Sequence, residues 1–187
     1  MMRKWWLLLV PVLVFAGFVW LAIAGLTQDK NGQPLVSSAG KAVPEMKLPI
    51  LNSRKLLTDH ELKGKKVLVN FFASWCVPCI AEHEFLKAVQ LAIPLPIIGI
   101  VYKDKDAAIK KYLKEHGNPF QTVALDREGR AAIDWGVTGV PETFLVGADG
   151  VIISHVSGPL SIPVWDKYFK PHLTEFLGKD NRGKDNR

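Results

Sequence analysis

The sequence predicts an α/β sandwich, a central sheet covered by helices, preceded by one apolar helix at the N-terminus. Two observations indicate this class. Beyond residue 41 short apolar runs alternate with amphipathic ones, and residues 5–26 contain no charged side chain. The stretch over residues 41–177 is long enough for one ordinary core and too short for two domains.

The N-terminal run predicts a transmembrane anchor. As a helix, residues 5–26 would span about 33 Å, against a hydrocarbon core of about 30 Å. Arg3 and Lys4 precede the run, which predicts that residues 1–4 lie in the cytoplasm and the remainder outside it. The alternative is a cleaved signal peptide, for which Ala22-Ile23-Ala24 offers a cleavage site. Both interpretations export the folded part of the chain.

Two polar segments bound that folded part. Residues 27–41 lack apolar periodicity, which predicts a tether between the anchor and the domain. At the other end, residues 178–182 are repeated identically as residues 183–187, and this charged duplication predicts a disordered tail. The folded domain is therefore predicted over residues 42–177.

The first half of the domain predicts two parallel strands, each followed by a helix. Residues 67–73 form an apolar run typical of a buried central strand, and residues 77–90 follow as a helix. Residues 96–102 predict a neighbouring parallel strand. Residues 104–116 then have the apolar spacing of a surface helix.

The second half predicts a hairpin and a closing helix. Residues 143–146 and 151–156 read as strands on either side of an Asp-Gly turn, which indicates an antiparallel pair. Residues 161–177 then predict one helix, which begins at a serine and ends before a glycine. The sheet is therefore expected to be mixed.

The only two cysteines, Cys76 and Cys79, lie at the start of the first predicted helix of the domain. Any disulfide within one chain must join these two, which favours a redox pair over a structural staple. The helix N-terminus is expected to lower the pKa of Cys76 from about 8.5 into the range of about 3.5 to 7.5. Cys76 is therefore the predicted nucleophile, and Cys79 the thiol that attacks second. Zinc binding and an inert buried pair are the alternatives, although the five histidines show no paired ligand spacing.

Several motifs resemble known families. Residues 67–79, which end in Trp75-Cys76-Val77-Pro78-Cys79, are similar to the active-site region of thioredoxin-like proteins, and residues 136–144 are similar to their proline loop. More narrowly, the chain resembles the membrane-anchored reductases of cytochrome c maturation, the DsbE/CcmG type. The segments that carry this closer resemblance are residues 79–83, 101–104, 117–119 and 136–144.

This resemblance implies a thioredoxin-like fold with a central mixed sheet flanked by helices. It also implies a protein-disulfide reductase in the bacterial inner membrane, with its catalytic domain in the periplasm. The expected partners are apocytochrome c, through its haem-attachment CxxCH, or a maturation protein that carries it, and a membrane thiol reductase as electron donor. A broad-specificity periplasmic thiol reductase and a copper metallochaperone of thioredoxin fold are the alternative functions.

No cofactor is expected beyond the Cys76–Cys79 disulfide itself. The chain has no glycine-rich nucleotide fingerprint and no second CxxC, so it is not expected to draw electrons directly from NADPH. Its formal net charge is +6, but no basic stripe with interleaved aromatic residues is present. Nucleic acid is therefore not an expected partner.

Glu82 is the predicted base for the second thiol. Where thioredoxin carries a buried aspartate on the strand before its cysteines, this chain has Asn70, which cannot accept a proton at neutral pH. Glu82 lies three residues after Cys79, and therefore on the same helical face. We hypothesise that Glu82 deprotonates Cys79 and that partial burial raises its pKa. The alternative is a solvated helix carboxylate.

The proline loop supplies the rest of the predicted site. The resemblance implies that Pro141 is cis and packs against the cysteines, so that an extended partner pairs with Val140. Glu142 is expected to add a negative charge that favours basic partners. The predicted substrate-binding residues are thus Trp75, Val77, Pro78, Val140, Pro141 and Glu142.

Overall fold

The computed structural model describes residues 6–27 and 38–177. The first element, α1 (Trp6–Thr27), is a helix of 22 residues, and side chains are described for residues 10–21 of it. Counting only described residues, no helix combines the length and the hydropathy that crossing a membrane requires. The anchor over residues 5–26 therefore stays a prediction. The predicted cytoplasmic residues 1–4 and tail 178–187 lie outside the described residues.

The domain contains a short hairpin and a five-stranded sheet. The strands are β1 (Lys47–Pro49), β2 (Leu56–Thr58), β3 (Val67–Phe72), β4 (Ile97–Tyr102), β5 (Thr122–Asp126), β6 (Glu142–Val146) and β7 (Ile152–Ser157). β1 pairs with β2, and the sheet has the order β5-β4-β3-β6-β7. β3, β4 and β5 are parallel, whereas β6 is antiparallel to β3 and β7 to β6. This arrangement confirms the mixed sheet that the sequence predicted.

Helices cover both faces of the sheet. They are α2 (Val77–Ala92), α3 (Asp106–His116), α4 (Arg130–Trp135), α5 (Ile162–Tyr168) and α6 (Thr174–Leu177), with 3₁₀ turns at Asp59–Leu62 and Lys170–His172. Leu68 and Phe72 of β3 pack with α2 and α3, while Val69 and Phe71 pack with α4 on the other side. Every residue of β3 is buried, which explains why its sequence is a nearly continuous apolar run. Its one polar residue, Asn70, lies on the same face as Leu68 and Phe72 and so points towards α2.

The prediction of one continuous C-terminal helix over residues 161–177 is wrong. The structure breaks it into α5, a 3₁₀ turn and α6. Pro171 explains the break, because it lacks a backbone N–H and its ring clashes with a carbonyl of the preceding turn.

The last residues of the predicted tether contact the folded domain. Most of the predicted tether, residues 28–37, lies outside the described residues. However, Gly40 donates a backbone hydrogen bond to Ile152 at 2.8 Å, and Lys41 accepts one from Ile152 at 2.9 Å. These contacts attach residues 40–41 to the edge strand β7.

Gly99 in β4 is required by close packing. A Cβ atom at this position would lie 2.8 Å from Cε1 of Phe72 and 2.9 Å from two ring atoms of Phe120. These rings stack with their centroids 4.6 Å apart. We expect Gly99→Ala to lower the free energy of unfolding by about 1 to 3 kcal/mol in urea titrations, because the rings must separate. Gly139→Ala, where a Cβ meets open space, serves as the control; an equal loss in both variants would contradict this explanation.

Candidate active site

The two cysteines form a disulfide at the start of α2. Cys76 is the N-cap residue and Cys79 lies in the first turn, with their Cα atoms 5.3 Å apart. Val77 and Pro78 begin the helix, where proline is tolerated because the first N–H groups have no partner within the helix. The N–H of Cys79 donates to Sγ of Cys76 at 3.2 Å. The same N–H would stabilise a thiolate on Cys76 after reduction.

Exposed side chains surround an almost buried disulfide. Cys76 and Cys79 are only 4% and 2% exposed, whereas Trp75 and Val77 are 56% and 74% exposed. Pro78 is exposed as well. A partner that reaches Cys76 must therefore contact this rim, which is where the sequence placed three of the substrate-binding residues.

The loop between β4 and α3 holds the turn before the cysteines. The carboxylate of Asp104 accepts the backbone N–H of Ser74 and that of Lys105, both at 2.7 Å. The indole N–H of Trp75 donates to the carbonyl of Lys103 at 3.4 Å. The sequence singled out residues 101–104 only through their resemblance to a family. The structure gives Asp104 a positioning role.

The proline loop meets the disulfide directly. The Val140–Pro141 peptide bond is cis, and Pro141 is buried. The carbonyl oxygen of Val140 lies 3.4 Å from Sγ of Cys76. Gly158, just past the end of β7, donates its N–H to the carbonyl of Pro141 at 2.9 Å. The backbone of Val140 is thus adjacent to the reacting sulfur, as an extended partner would require.

Glu82 is buried beneath this surface, with 2% of its area exposed. One carboxylate oxygen accepts from Nδ2 of Asn70 at 2.8 Å, and the other accepts from the backbone N–H of Leu160 at 2.8 Å. Burial raises the pKa of Glu82 to about 7, although both hydrogen bonds oppose the shift. The solvated alternative is therefore wrong, and Glu82 can exchange a proton near neutral pH.

No hydrogen bond joins Glu82 to either cysteine within the described residues. This is the expected pattern for the oxidised form, because a disulfide sulfur carries no proton to donate. Proton transfer from Cys79 to Glu82 would thus occur only after reduction, through a water molecule or a side-chain rotation. Asn70 also donates to Oγ1 of Thr143 at 3.0 Å, which fixes its amide between β3 and β6.

Glu142 lies inside the protein rather than on the surface. It has no exposed area, and Oε1 accepts from the backbone N–H and the hydroxyl of Thr138, from the N–H of Gly139 and from the hydroxyl of Ser157. Oε2 lies 2.6 Å from Nε2 of His155. Burial by itself would raise the pKa of Glu142, but the donors from His155 and Thr138 outweigh it and leave the pKa below its usual value.

These contacts change the role expected for Glu142. A carboxylate with no exposed area cannot touch a partner, so the predicted direct contact with basic partners is not what the structure shows. Instead, Glu142 ties residues 138–139 to the hairpin formed by β6 and β7. Its contacts are therefore those of a residue that anchors the loop.

A second buried titratable residue, His83, also lies on α2. Nε2 of His83 donates to the carbonyl of Gly117 at 3.0 Å, and the hydroxyl of Tyr112 donates to Nδ1 at 3.0 Å. Burial lowers the pKa of His83 and raises the pKa of Tyr112 to about 12. Both side chains therefore stay neutral, and they attach α2 to α3 and to the residues that follow α3.

Comparisons with known proteins identify the family of this chain. A family model described as Redoxin matches residues 38–166. A DsbE homologue of Paracoccus denitrificans is 39% identical over 175 residues, covering 93% of this chain and 97% of that protein. The thiol:disulfide interchange proteins CycY of Rhizobium leguminosarum and HelX of Rhodobacter capsulatus are 39% and 38% identical. They cover 95% and 89% of this chain, and 98% and 95% of their own lengths.

Solved structures share the fold. A thio-disulfide isomerase of Thermus thermophilus superposes with a TM-score of 0.61 at 23% identity, covering 74% of this chain and 96% of its own. A thiol-disulfide oxidoreductase of Bacteroides fragilis gives a TM-score of 0.60 at 19% identity, covering 72% and 98%. These likenesses support the α/β architecture described above.

Proposed function

We propose that this chain, which belongs to the Redoxin family and is a thiol:disulfide interchange protein of the DsbE type, reduces disulfides during cytochrome c maturation. The observation that carries the proposal is the setting of Cys76. It lies at a helix N-terminus below an exposed apolar rim, with the titratable carboxylate of Glu82 buried behind the pair. This setting suits a nucleophile that selects its partners by contact.

The proposed acceptor is the disulfide at the haem-attachment CxxCH of apocytochrome c, or a maturation protein that carries it. The support is the similarity of residues 79–83 and 136–144 to the reductases of cytochrome c maturation. These segments contain Glu82 and the Val140–Pro141 bond, so the resemblance coincides with the site described above.

The exchange proceeds in two displacements. The Cys76 thiolate attacks one sulfur of the partner disulfide and forms a mixed disulfide, while the other partner sulfur leaves as a thiolate. Cys79 then attacks Sγ of Cys76, closes the intramolecular disulfide and releases the second partner thiolate. Glu82 takes up the proton of Cys79 in this second step. Two electrons pass from the cysteine pair to the partner.

The chain must then be reduced again by another protein. We propose that a membrane thiol reductase supplies two electrons to the Cys76–Cys79 disulfide, which is the only redox group we assign to the chain. Residues 5–26 would anchor the chain in the bacterial inner membrane, with residues 1–4 in the cytoplasm and the domain in the periplasm. The support is the position of Arg3 and Lys4 before an uncharged run.

Trapping in cells tests this proposal. Cys79→Ala removes the thiol that releases the partner, so mixed disulfides on Cys76 should accumulate and be recovered with the protein. We expect mass spectrometry to identify apocytochrome c or its maturation proteins. A chain with both Cys76→Ala and Cys79→Ala is the control and should trap none of them. A broad set of envelope proteins would instead establish a general reductase and overturn the specific assignment.

A further inference from the structure

His155 on β7 contacts the buried carboxylate of the proline loop. Its Nε2 atom lies 2.6 Å from Oε2 of Glu142, and only 1% of His155 is exposed. The imidazole stacks on Phe144 with ring centroids 3.9 Å apart and planes 8° apart. His155 takes no part in the two displacements, although both its ring plane and its hydrogen bond are fixed.

The hydrogen-bond pattern assigns the imidazole proton. Nδ1 of His155 is buried and has no hydrogen-bond partner among the described residues. A proton on Nδ1 would therefore be buried without an acceptor, which costs free energy. Nε2 is accordingly the donor, and its N–H points at Oε2 of Glu142.

While Nε2 of His155 binds Oε2 of Glu142, the other carboxylate oxygen, Oε1, is free to bind the proline loop. Oε1 of Glu142 accepts from the N–H of Thr138 at 2.8 Å, from its hydroxyl at 2.7 Å and from the N–H of Gly139 at 3.1 Å. The hydroxyl of Ser157 completes the set at 3.1 Å. With Oε2 held by His155, the carboxylate group cannot turn away from these donors without losing a charge-assisted hydrogen bond.

We propose that His155 is a positioning residue for polypeptide partners: it fixes the Glu142 carboxylate, which holds residues 138–139 so that Val140 presents its backbone beside Cys76. The inference rests on the proposed pairing of partners with Val140. It does not depend on which polypeptide is the natural partner. A small disulfide needs only access to Sγ of Cys76, whereas a peptide disulfide also needs the ordered loop. His155 therefore favours peptide disulfides over small ones.

Two variants of the full chain distinguish the effect of the His155 hydrogen bond from the effect of its aromatic ring. His155→Phe keeps an aromatic ring for Phe144 and removes the donor, while His155→Gln keeps an N–H donor. The reduced proteins are mixed with a peptide carrying a CxxCH disulfide or with hydroxyethyl disulfide, and oxidation is followed by the loss of free thiols. We expect the ratio of the two second-order rate constants, peptide over small disulfide, to fall about tenfold in His155→Phe.

The loss should appear as a higher half-saturating peptide concentration rather than a lower limiting rate, and His155→Gln should restore the ratio to within about threefold. A folded His155→Phe chain that keeps the ratio overturns the inference, as does an equal loss in both variants. If His155→Phe does not fold, His155→Leu removes the same donor, and an unchanged ratio in that variant overturns the inference. If the unaltered chain reacts with the peptide no faster than with hydroxyethyl disulfide, the proposed pairing of partners with Val140 is overturned. The identity of the natural partner is tested separately, by the trapping experiment.

Discussion

A chain with Glu82→Gln should close the Cys76–Cys79 disulfide about 100-fold more slowly than the unaltered chain at pH 8. Glutamine can keep the bond to the N–H of Leu160, and Asn70 can turn its amide to accept from the new N–H group, but no group then takes up the proton of Cys79. Stopped-flow measurement of mixed-disulfide resolution tests this. The rate in the unaltered chain should rise with pH around a midpoint of about 7, and that midpoint should be missing from the variant.

The same substitution should change how stability depends on pH. Burial raises the pKa of Glu82 from 4.5 to about 7, so the folded protein binds this proton more tightly than the unfolded chain does. The free energy of unfolding therefore falls as pH rises through this window, by about 3 kcal/mol at pH 8. Urea titrations at pH 4.5 and pH 8 should show this contribution in the unaltered chain and its loss in Glu82→Gln.

Glu84 provides the matched control on the same helix. It is exposed, and its carboxylate pairs with Lys87 at 2.8 Å. Glu84→Gln should change neither the resolution rate nor the pH dependence of unfolding, because it removes only a solvated ion pair. If Glu82→Gln instead resolves the mixed disulfide at the unaltered rate, Glu82 is not the base.

The second large effect is expected from Asn70→Asp, which should lower the free energy of unfolding by about 3 kcal/mol at pH 8. Nδ2 of Asn70 lies 2.8 Å from Oε1 of Glu82, so the substitution puts two buried carboxyl groups in contact. Both cannot ionise together at that distance, and the pKa of one must rise further. Because the folded state then holds an extra proton, the cost grows with pH and is smallest near pH 4.

A double variant identifies the cause. In Asn70→Asp with Glu82→Gln, the glutamine N–H can donate to the new aspartate, so most of the cost at pH 8 should disappear. Urea titrations of the four chains form a cycle whose interaction energy measures the repulsion. A loss in Asn70→Asp that is equal at pH 4 and pH 8, or that persists in the double variant, would contradict this explanation.

The central strands and the first helix could be predicted because their signals are local. β3 and β4 are nearly continuous apolar runs, and α2 has Pro78 in its first turn, where helices tolerate proline. The short strands β1 and β2 were missed, since three residues are too few for a periodic pattern. The final helix was overextended because Pro171 outweighs the apolar spacing around it.

For the candidate site too, only the features that depend on local spacing could be predicted. The redox pair and Glu82 lie on one helix, so their spacing alone places them together. Several donors to the two carboxylates come from β7 or the residues just after it, namely His155 and Ser157 for Glu142 and Leu160 for Glu82. His155 and Ser157 reach Glu142 only because β7 pairs with β6. The burial of Glu142 could not be predicted for the same reason.

The bond from Leu160 to Glu82 has a consequence for how such sites tolerate mutation. The donor is a backbone N–H, so every side chain at position 160 except proline retains it. Side-chain substitutions at position 160 would therefore reveal only effects on packing. They would not reveal that the backbone N–H lowers the pKa of Glu82. Leu160 is buried, so a replacement must fit the core, but any residue that fits and keeps the path of the backbone also keeps this donor. Transplanting α2 and the proline loop into another scaffold would leave this donor behind, and with it part of the control over the proton.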